Sequence, residues 1–331
     1  MEIYYHDTRL NWIQRKVRTD PKITAENKQA ILEFDRQLLV DGMKRPTRVN
    51  YLSTLYVLGK KSRNGFRMST RKDIEYLIAF VNGNGFTEWT REKYFVIMRR
   101  FFSKLGIDVS WIRLKSRNEL MNNHIPEQLL EKPEERAVIK GIDKLMDRTI
   151  TALLAEGGFR IGEVLPLETK SIAFDRYGCR LIVSGKTGMR AVPLIRCDCD
   201  HKNLAVNLLE KWLDKREFET PYAFNRPFIQ GEDRGLPRGL SHRYIRYVFE
   251  MVNGSGATRK HVHPHLFRHT RATQLANFLT EFQLCNYFGW TYGSQTPRVY
   301  VRLAGKDIIN SLLKAYGMKP TEKMNPCLWC S

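Results

Sequence analysis

Long apolar runs and a regular cysteine pattern are both missing from this chain. Among its 331 residues, no apolar stretch reaches the roughly 18 residues that a membrane-spanning helix needs. The 6 cysteines do not form a disulfide framework. The first residues also lack the basic and apolar regions of a secretory signal peptide. We therefore expect a cytoplasmic protein, neither spanning a membrane nor held together by disulfides.

Acidic residues are scarce. The chain has 35 Asp and Glu against 55 Lys and Arg, which gives a formal net charge of +20. This excess is larger than solubility requires and points to a polyanionic partner. A membrane surface is the competing polyanion, but the chain has no lipidation signal and its basic residues are not confined to one short amphipathic segment. We expect a nucleic acid as the partner.

The basic residues are dense in the first third of the chain. From residue 44 to residue 72 there are nine Lys or Arg residues and no acid, and residues 91–117 add a second basic run. Such a density favours phosphate contact over a merely solvated face. The candidate DNA-binding residues are Lys44, Arg45, Arg48, Lys60, Lys61, Arg63, Arg67, Arg71, Arg99 and Arg100.

A basic cluster followed by an isolated tyrosine lies in the last fifth of the chain. His265 and Arg268 are three residues apart, so on a helix they share a face and can reach the oxygens of one phosphate. Gly289-Trp290 follows, and then Tyr300. A tyrosine hydroxyl, with an unperturbed pKa of about 10, attacks a phosphate only where cations stabilise the phenolate and the phosphorus centre. Attack on a phosphodiester needs this combination.

A second group of residues lies upstream of this cluster. Arg160 and Glu163 have the same spacing of three and follow an apolar helical stretch. Residues 181–194 then form two apolar runs around a glycine-bounded turn, which predicts a β-hairpin with Lys186 near its tip. A lysine there can donate a proton beside a cleaved strand. Three other cations compete for this role: Lys170, Arg180 and Arg190.

In this order, the residues resemble the active site of the tyrosine recombinases, the integrase family of DNA breaking and rejoining enzymes. The six matching positions are Arg160, Lys186, His265, Arg268, Trp290 and Tyr300. The resemblance covers roughly residues 133–319. The segment from Phe288-Gly289-Trp290 to Tyr300 looks most like integrases of euryarchaeal viruses and plasmids, in which tryptophan commonly replaces a second histidine.

The resemblance implies an architecture. We expect a mainly α fold with a small β-sheet or hairpin in the catalytic domain (class α+β), preceded by a helical core-binding domain that clamps DNA. The predicted order is an N-terminal extension over 1–23, a core-binding domain over 24–119, a linker over 120–134, a catalytic domain over 135–318 and a tail over 319–331. In the first domain, helices are predicted near 24–41, 47–60, 70–82 and 87–105. In the catalytic domain, they are predicted near 135–147, 149–156, 203–217, 241–252, 264–276, 280–288 and 306–316, with a short helix at Arg160.

The resemblance also implies a mechanism. Tyr300 is expected to attack the phosphodiester, giving a 3′-phosphotyrosyl link and a free 5′-hydroxyl. Lys186 protonates the leaving oxygen, Glu163 braces the arginines, and the remaining matched residues stabilise the phosphorane. His265 is also placed to assist as acid or base. No metal, ATP or other cofactor is needed. The expected assembly is a homotetramer on two double-stranded DNA sites, passing through a Holliday junction. An apolar stripe over residues 308–316 fits either exchange between subunits or packing on its own domain.

Several alternatives stay open. Tyr292 is the rival nucleophile, and His269 and Thr270 are expected to orient their helix. The histidine series from His261 to His269 suggests a metal site, but no carboxylate lies between residues 254 and 280, so we predict none. Cys179 and Cys285 are expected to be reduced packing residues, and zinc binding by Cys327 and Cys330 is left open. The alternatives to a mobile-element integrase are a chromosome-dimer resolvase, a type IB topoisomerase-like enzyme, and a DNA-binding protein with an inactive site.

Overall fold

Helices account for most of the computed structural model, which describes residues 2–116, 129–185, 188–196, 204–217, 219–227, 237–294, 296–303 and 316–317. The chain divides into two compact units, Met1–Asn123 and His124–Ser331. Within the described residues, no helix is both long enough and apolar enough to cross a membrane.

The first unit is helical throughout. Its helices are α1 (Glu2–Thr19), α2 (Ala25–Val40), α3 (Arg45–Gly59), α4 (Arg71–Gly83) and α5 (Glu88–Lys104). Thr24, Thr70 and Thr87 each accept a hydrogen bond from the backbone N–H three residues on, which fixes the starts of α2, α4 and α5. The four helices predicted for this region are confirmed.

The core of this unit is aromatic. Phe101 lies edge-on to both Phe34 and Phe66, with ring centroids 5.1 Å and 5.0 Å apart. Our prediction placed residues 1–23 in an extension outside the helical domain. Helix α1 instead packs on α2 and α3, and its buried side chains Leu10, Ile13 and Val17 belong to the same core. Their spacing carries the helical signal, which the many charged residues of the segment obscured.

Arg48 corrects one of the DNA-binding assignments. Its Nε and Nη2 each donate a 2.8 Å hydrogen bond to Asp35, one to each carboxylate oxygen, and Gln14 donates to the same carboxylate at 2.7 Å. Both Arg48 and Asp35 are buried. The guanidinium is therefore held inside the helical core, and we remove Arg48 from the DNA-binding set.

The second unit combines helices with two small antiparallel sheets. Its elements in chain order are α6 (Lys132–Lys140), α7 (Leu145–Gly157), α8 (Ile161–Val164), β1 (Ile172–Asp175), β2 (Gly178–Gly185), β3 (Gly188–Ile195), α9 (Leu204–Lys215), β4 (Asn225–Pro227), β5 (Pro237–Gly239), α10 (His242–Gly254), α11 (Pro264–Ala276), α12 (Glu281–Phe288) and α13 (Thr296–Leu303).

Helix α7 forms the centre of this unit. Nearly all of its residues are buried, and it packs against α9 and α11. Gly158 ends it in the left-handed conformation at φ +59°, and a Cβ there would lie 2.6 Å from a ring carbon of Phe288. Only glycine combines this backbone conformation with so close an approach.

The predicted hairpin is confirmed. Strands β2 and β3 pair antiparallel from Gly178↔Ile195 to Gly185↔Gly188, and β1 adds a third strand to β2. Leu181 and Val183 face the core, while the residues that alternate with them, Arg180, Ile182 and Ser184, are exposed. Lys186 and Thr187 lie outside the described residues.

Tyr300 lies on a helix, α13, that the sequence did not predict. Our last predicted helix, near 306–316, falls almost wholly outside the described residues. The predicted boundary between the first two helices of this unit, at 147–149, is instead at 140–145, where Gly141 caps α6.

Removal of the Arg48 side chain should destabilise the first unit. Arg48→Ala leaves the Asp35 carboxylate buried without its cation, so we expect the free energy of unfolding to fall by about 3–5 kcal/mol. Lys44→Ala, at an exposed residue nearby, should change it by less than about 0.5 kcal/mol. Urea denaturation followed by circular dichroism measures both. Equal stability of the two variants would contradict a structural role for Arg48.

Candidate active site

The side chain of Glu163 is the meeting point of the predicted upstream residues. Arg160 is the N-cap of α8, and its backbone N–H donates to Glu163 Oε2 at 2.8 Å. Arg160 Nη1 also donates to Glu163 Oε1 at 2.8 Å. The spacing of three therefore lets the Glu163 carboxylate accept from both the backbone and the side chain of the N-cap residue, which is the carboxylate half of a capping box. The Arg160 side chain keeps 28% of its surface exposed and remains available to a ligand.

Arg190, on β3, holds the same carboxylate from the other side. Its Nη1 and Nη2 donate to Glu163 Oε1 and Oε2 at 2.7 Å and 2.8 Å, and its Nε donates to the carbonyl oxygen of Tyr287 at 2.8 Å. Arg190 was considered only as a rival of Lys186 at the hairpin. The structure instead makes it a brace that joins β3, α8 and α12.

The pKa of Glu163 reflects this environment. Burial would raise it, but the hydrogen bonds and charges of Arg190 and Arg160 lower the pKa of Glu163 to about 2. The strand end that precedes Lys186 also lies against this carboxylate, since a Cβ on Gly185 would be 2.6 Å from Glu163 Oε1. Glu163 therefore stays ionised and fixes the turn end of the hairpin.

Arg268, on α11, is a buried cation held by two helix ends. Its Nη1 donates to the carbonyl oxygen of Gly158 at 2.8 Å and its Nη2 to that of Phe288 at 2.5 Å. Gly158 and Phe288 stand at the C-terminal ends of α7 and α12, where the helix dipoles place partial negative charge. Burial, followed by the charge of Arg160, lowers the pKa of Arg268 to about 9, so it remains protonated at neutral pH.

In the described part of this site, Arg160 and Arg190 pair with Glu163, and Arg268 lies within electrostatic range of the same carboxylate. Arg160, Arg190 and Arg268 contribute three positive charges, and Glu163 contributes one negative charge. The surplus favours an anionic ligand, which a phosphate would supply.

His265 lies in the first turn of α11, three residues before Arg268, and its surface is exposed. The protein packed around its ring limits hydration and, together with the charges of Arg268 and Arg160, lowers the pKa of His265 below its usual value. The ring is therefore neutral at pH 7. It adds a polar group beside the arginines without adding a charge.

Tyr300 is enclosed by aromatic rings. Its side chain is 5% exposed and stacks almost parallel on Trp290, with ring centroids 5.1 Å apart and 4° between the planes. Trp290 stacks in turn on Phe288 at 4.7 Å, and the Arg268 guanidinium lies 5.0 Å and 5.6 Å from the Phe288 and Trp290 rings. The stack places the tyrosine beside the buried cation and restricts its ring.

His269 contacts the tyrosine hydroxyl. Its Nδ1 lies 2.5 Å from Tyr300 Oη. From the sequence we expected His269 only to orient its helix. The available signal was that His269 follows His265 by four residues and so shares its helix face, but nothing in the sequence brings α13 to that face.

The comparisons with known proteins identify the family. Residues 120–306 match the model of the phage integrase family. The chain belongs to this family. The resemblance seen in the sequence is confirmed at this level, and the likeness to euryarchaeal integrases stays a prediction.

Relatives within the family match about half of the chain. Tyrosine recombinase XerC of Staphylococcus haemolyticus is 30% identical over 159 residues, which are 47% of this chain and 50% of that protein. XerC of Shewanella oneidensis is 29% identical over 159 residues, or 48% of each chain. The chain thus spans about half the length of these relatives.

Solved structures of family members share the fold. XerH site-specific recombinase bound to palindromic difH substrate aligns with a TM-score of 0.61 at 16% identity, covering 94% of this chain and 97% of that chain. A lambda integrase tetramer bound to a Holliday junction aligns with a TM-score of 0.60 at 15% identity, covering 84% and 77%. The predicted fold class, mainly helical with a small sheet, is confirmed.

The residues considered as alternatives to Tyr300 and Lys186 lie in other surroundings in the structure. Tyr292 is exposed, stacks on Phe282 at 4.8 Å and donates a hydrogen bond to Asn286. Lys170 is exposed and pairs with Glu168 at 2.6 Å. Arg180 is exposed on β2, and Lys186 lies outside the described residues.

Cysteines and histidines form no metal centre in the part of the chain that the structure describes, where no three His, Cys, Asp or Glu side chains are placed to hold an ion. Cys179 and Cys285 are buried free thiols, as predicted, and burial raises the pKa of Cys179 to about 12. The cysteines at 197, 199, 327 and 330 lie outside the described residues.

The other predicted DNA-binding residues lie at the surface of the first unit. Arg99 and Arg100 are half-buried, and Arg100 pairs with Asp41 at 3.1 Å. Several exposed cations are held against aromatic rings, for example Arg63 at 3.8 Å from the Tyr76 ring and Lys61 at 5.2 Å from the Phe80 ring. The exposed candidates are Lys44, Arg45, Lys60, Lys61, Arg63, Arg67 and Arg71.

Acid should weaken the fold through Glu163. Because its folded pKa of about 2 lies below the ordinary 4.5, its stabilising contribution is complete above pH 4.5 and is lost as the pH falls towards 2. The shift corresponds to about 3 kcal/mol. We expect the difference in unfolding free energy between wild type and Glu163→Gln to shrink by this amount between pH 5 and pH 2 in urea titrations.

Glu75→Gln is the matched control for that titration, because Glu75 pairs with Arg71 at the exposed surface. Its difference from wild type should stay below about 1 kcal/mol at every pH. A Glu163→Gln difference that does not change with pH would show that the carboxylate is not the ionised centre of the cluster.

Proposed function

We propose that this protein is a site-specific DNA recombinase that cleaves and rejoins strands through a covalent link between Tyr300 and a 3′-phosphate. The observation that carries the proposal is the enclosed Tyr300, stacked beside the buried cation Arg268 in a site with surplus positive charge. A phenol becomes a useful nucleophile for phosphate only in such surroundings. Membership of the phage integrase family supports the same chemistry.

Each site residue takes a role in this reaction. Arg160 and Arg268 bind the non-bridging oxygens of the scissile phosphate, and His265 hydrogen-bonds beside them. Tyr300 attacks in line as the P–O5′ bond breaks, and Lys186, placed by the family resemblance, donates a proton to the leaving oxygen. Trp290 acts by stacking on the nucleophile. Glu163 and Arg190 hold Arg160 and the hairpin in position.

The reaction conserves the phosphodiester energy in the phosphotyrosyl link, so it runs without ATP and without a metal ion. Rejoining to a 5′-hydroxyl of a partner duplex exchanges strands through a Holliday junction. The proposed assembly is four protomers on two double-stranded DNA sites. A tetramer of lambda integrase on a Holliday junction, which shares the fold, supports this arrangement.

The biological role we propose is integration and excision of a mobile genetic element, a virus or plasmid of archaea. The support is the Gly289-Trp290 to Tyr300 segment, which is similar to integrases of such elements. A chromosome-dimer resolvase or a type IB topoisomerase-like enzyme would use the same residues. The reaction products distinguish a topoisomerase-like enzyme from a recombinase, since a relaxing enzyme changes the supercoiling of one plasmid without a second site.

Covalent trapping tests the chemistry directly. The substrate is a labelled, nicked duplex carrying a site selected by this protein from a random library, incubated in EDTA. We expect wild type and Tyr292→Phe to form a protein–DNA adduct that survives SDS, and Tyr300→Phe to form none while still shifting the DNA in a gel. Tight binding without an adduct in wild type would favour the inactive DNA-binding protein. An adduct in Tyr300→Phe would assign the nucleophile to another residue.

Salt dependence tests the basic surface of the first unit. If Lys60 and Lys61 each neutralise a phosphate, the double variant Lys60→Ala/Lys61→Ala should reduce the slope of log K against log salt by about 1.8, or 0.9 per contact. Fluorescence anisotropy with a short duplex measures this slope. Lys22→Ala, exposed in the same unit but outside the basic runs, is the control. An unchanged slope in the double variant would remove both lysines from the DNA-binding set.

A further inference from the structure

The hydroxyl of Tyr300 has a described hydrogen bond to a base. His269 Nδ1 and Tyr300 Oη are 2.5 Å apart, and the two rings lie with centroids 5.7 Å apart and a tilt of 31°. The stack with Trp290 limits the movement of the tyrosine ring and therefore keeps its hydroxyl near this nitrogen. The tyrosine side chain is only 5% exposed, so bulk water has little access to it.

This geometry matters because the proposed reaction needs a proton acceptor at the nucleophile. A phenol, with a pKa of about 10 in water, is almost entirely protonated at pH 7. Nearby arginines stabilise a phenolate but cannot take its proton. An imidazole within hydrogen-bond distance of the reacting oxygen meets the geometric requirement for a general base.

His265 is the other imidazole of the site, and its surroundings suit a different role. Its ring lies in the electrostatic field of Arg268 and Arg160, the two cations proposed to bind the phosphate. His269 follows it by one helical turn on α11 and meets α13. The two histidines thus lie at different places on α11. His265 lies towards the arginines proposed to bind phosphate, and His269 contacts the proposed nucleophile.

Resting on the function proposed above, we propose that His269 is the general base that accepts the phenolic proton of Tyr300. In the cleavage step the Oη–P bond forms and the P–O5′ bond breaks. The phenolic proton moves to His269 Nδ1, in the neutral ring that carries its other proton on Nε2, while Lys186 supplies the proton to the 5′-oxygen. In rejoining, the 5′-hydroxyl attacks phosphorus and gives its proton to the Lys186 amine, which lost one in cleavage. The Oη–P bond breaks, and the imidazolium returns its proton to the departing tyrosine oxygen.

Helix α11 makes this arrangement a single rigid body. Arg268 and His269 are consecutive residues, so the group that holds the phosphate and the group that holds the nucleophile share one backbone. Arg268 is in turn fixed to the ends of α7 and α12. The proton acceptor is therefore held in register with the phosphate by the same hydrogen bonds.

Asparagine in place of His269 separates a base from a mere positioning residue. Its amide oxygen can occupy the place of Nδ1 and accept the hydrogen bond, but it cannot take up the proton. We expect Tyr300 in His269→Asn to form the covalent adduct about 10²- to 10⁴-fold more slowly than in wild type under single-turnover conditions. DNA affinity, measured by gel shift, should be unchanged. His261→Asn, at an exposed histidine before α11, is the matched control and should react at the wild-type rate.

A more acidic nucleophile provides the rescue. Difluorotyrosine introduced at position 300 ionises near neutral pH and needs less help from a base. The adduct-formation rate is compared between the protein with His269 intact and His269→Asn, first with tyrosine and then with difluorotyrosine at position 300. The ratio of the two rates should be at least about tenfold smaller with difluorotyrosine than with tyrosine. If His269→Asn slowed the reaction only by displacing Tyr300 or its neighbours, this ratio of rates would not change with the acidity of the phenol.

The outcomes distinguish this inference from the function on which it rests. No adduct in wild type overturns the proposed function, and the role of His269 with it. Adduct formation at equal rates in wild type and His269→Asn overturns the role of His269 alone. A slow His269→Asn variant that difluorotyrosine leaves equally slow also overturns it, because the defect is then independent of proton transfer.

Discussion

A single buried carboxylate organises the site. Glu163 accepts hydrogen bonds from the side chains of Arg160 and Arg190 and from the Arg160 backbone, and thereby connects the start of α8 to β3. Arg190 extends the link to the end of α12 through the carbonyl oxygen of Tyr287. Desolvation of these charges is costly, and only their mutual pairing offsets it. The Glu163 ion pairs therefore fix Arg160 and the turn end of the hairpin, in addition to the apolar packing of Leu181 and Val183 in the core.

That balance is incomplete in the described residues, and this is what gives the site its chemistry. One carboxylate cannot neutralise three arginines, and burial together with the charge of Arg160 lowers the pKa of Arg268. A phosphate bound between Arg160 and Arg268 would complete the balance. In the proposed reaction, the additional negative charge of the phosphorane is stabilised still more strongly.

The sequence predicted the local features well. The start and end of α11 match the prediction over 264–276, the threonine caps begin three predicted helices, and the hairpin follows from its alternating apolar residues. These features depend on spacing and on residues within one element. The family order of Arg160, His265, Arg268, Trp290 and Tyr300 could likewise be recognised without a structure, because it depends on sequence order.

Other features depend on contacts between distant segments, which a sequence does not specify. Arg190 is 27 residues from Glu163 and His269 is 31 residues from Tyr300, so neither partnership can be deduced from spacing. Arg48 shows the opposite error, since a basic residue in a basic run was assigned to DNA although a carboxylate 13 residues earlier holds it in the core. Charge counts do not reveal which cations are buried.

Arg268 joins the terminal carbonyl groups of two helices, and this has a consequence for how such an enzyme decays. The same guanidinium that would contact phosphate also satisfies the backbone of Gly158 and Phe288. Loss of this arginine would cost structure as well as the proposed activity, whereas Tyr300→Phe removes one oxygen from a ring that is held by stacking. In descendants no longer selected for the proposed recombination, the hydroxyl of the proposed nucleophile is expected to disappear first, while the arginine is kept for its structural role.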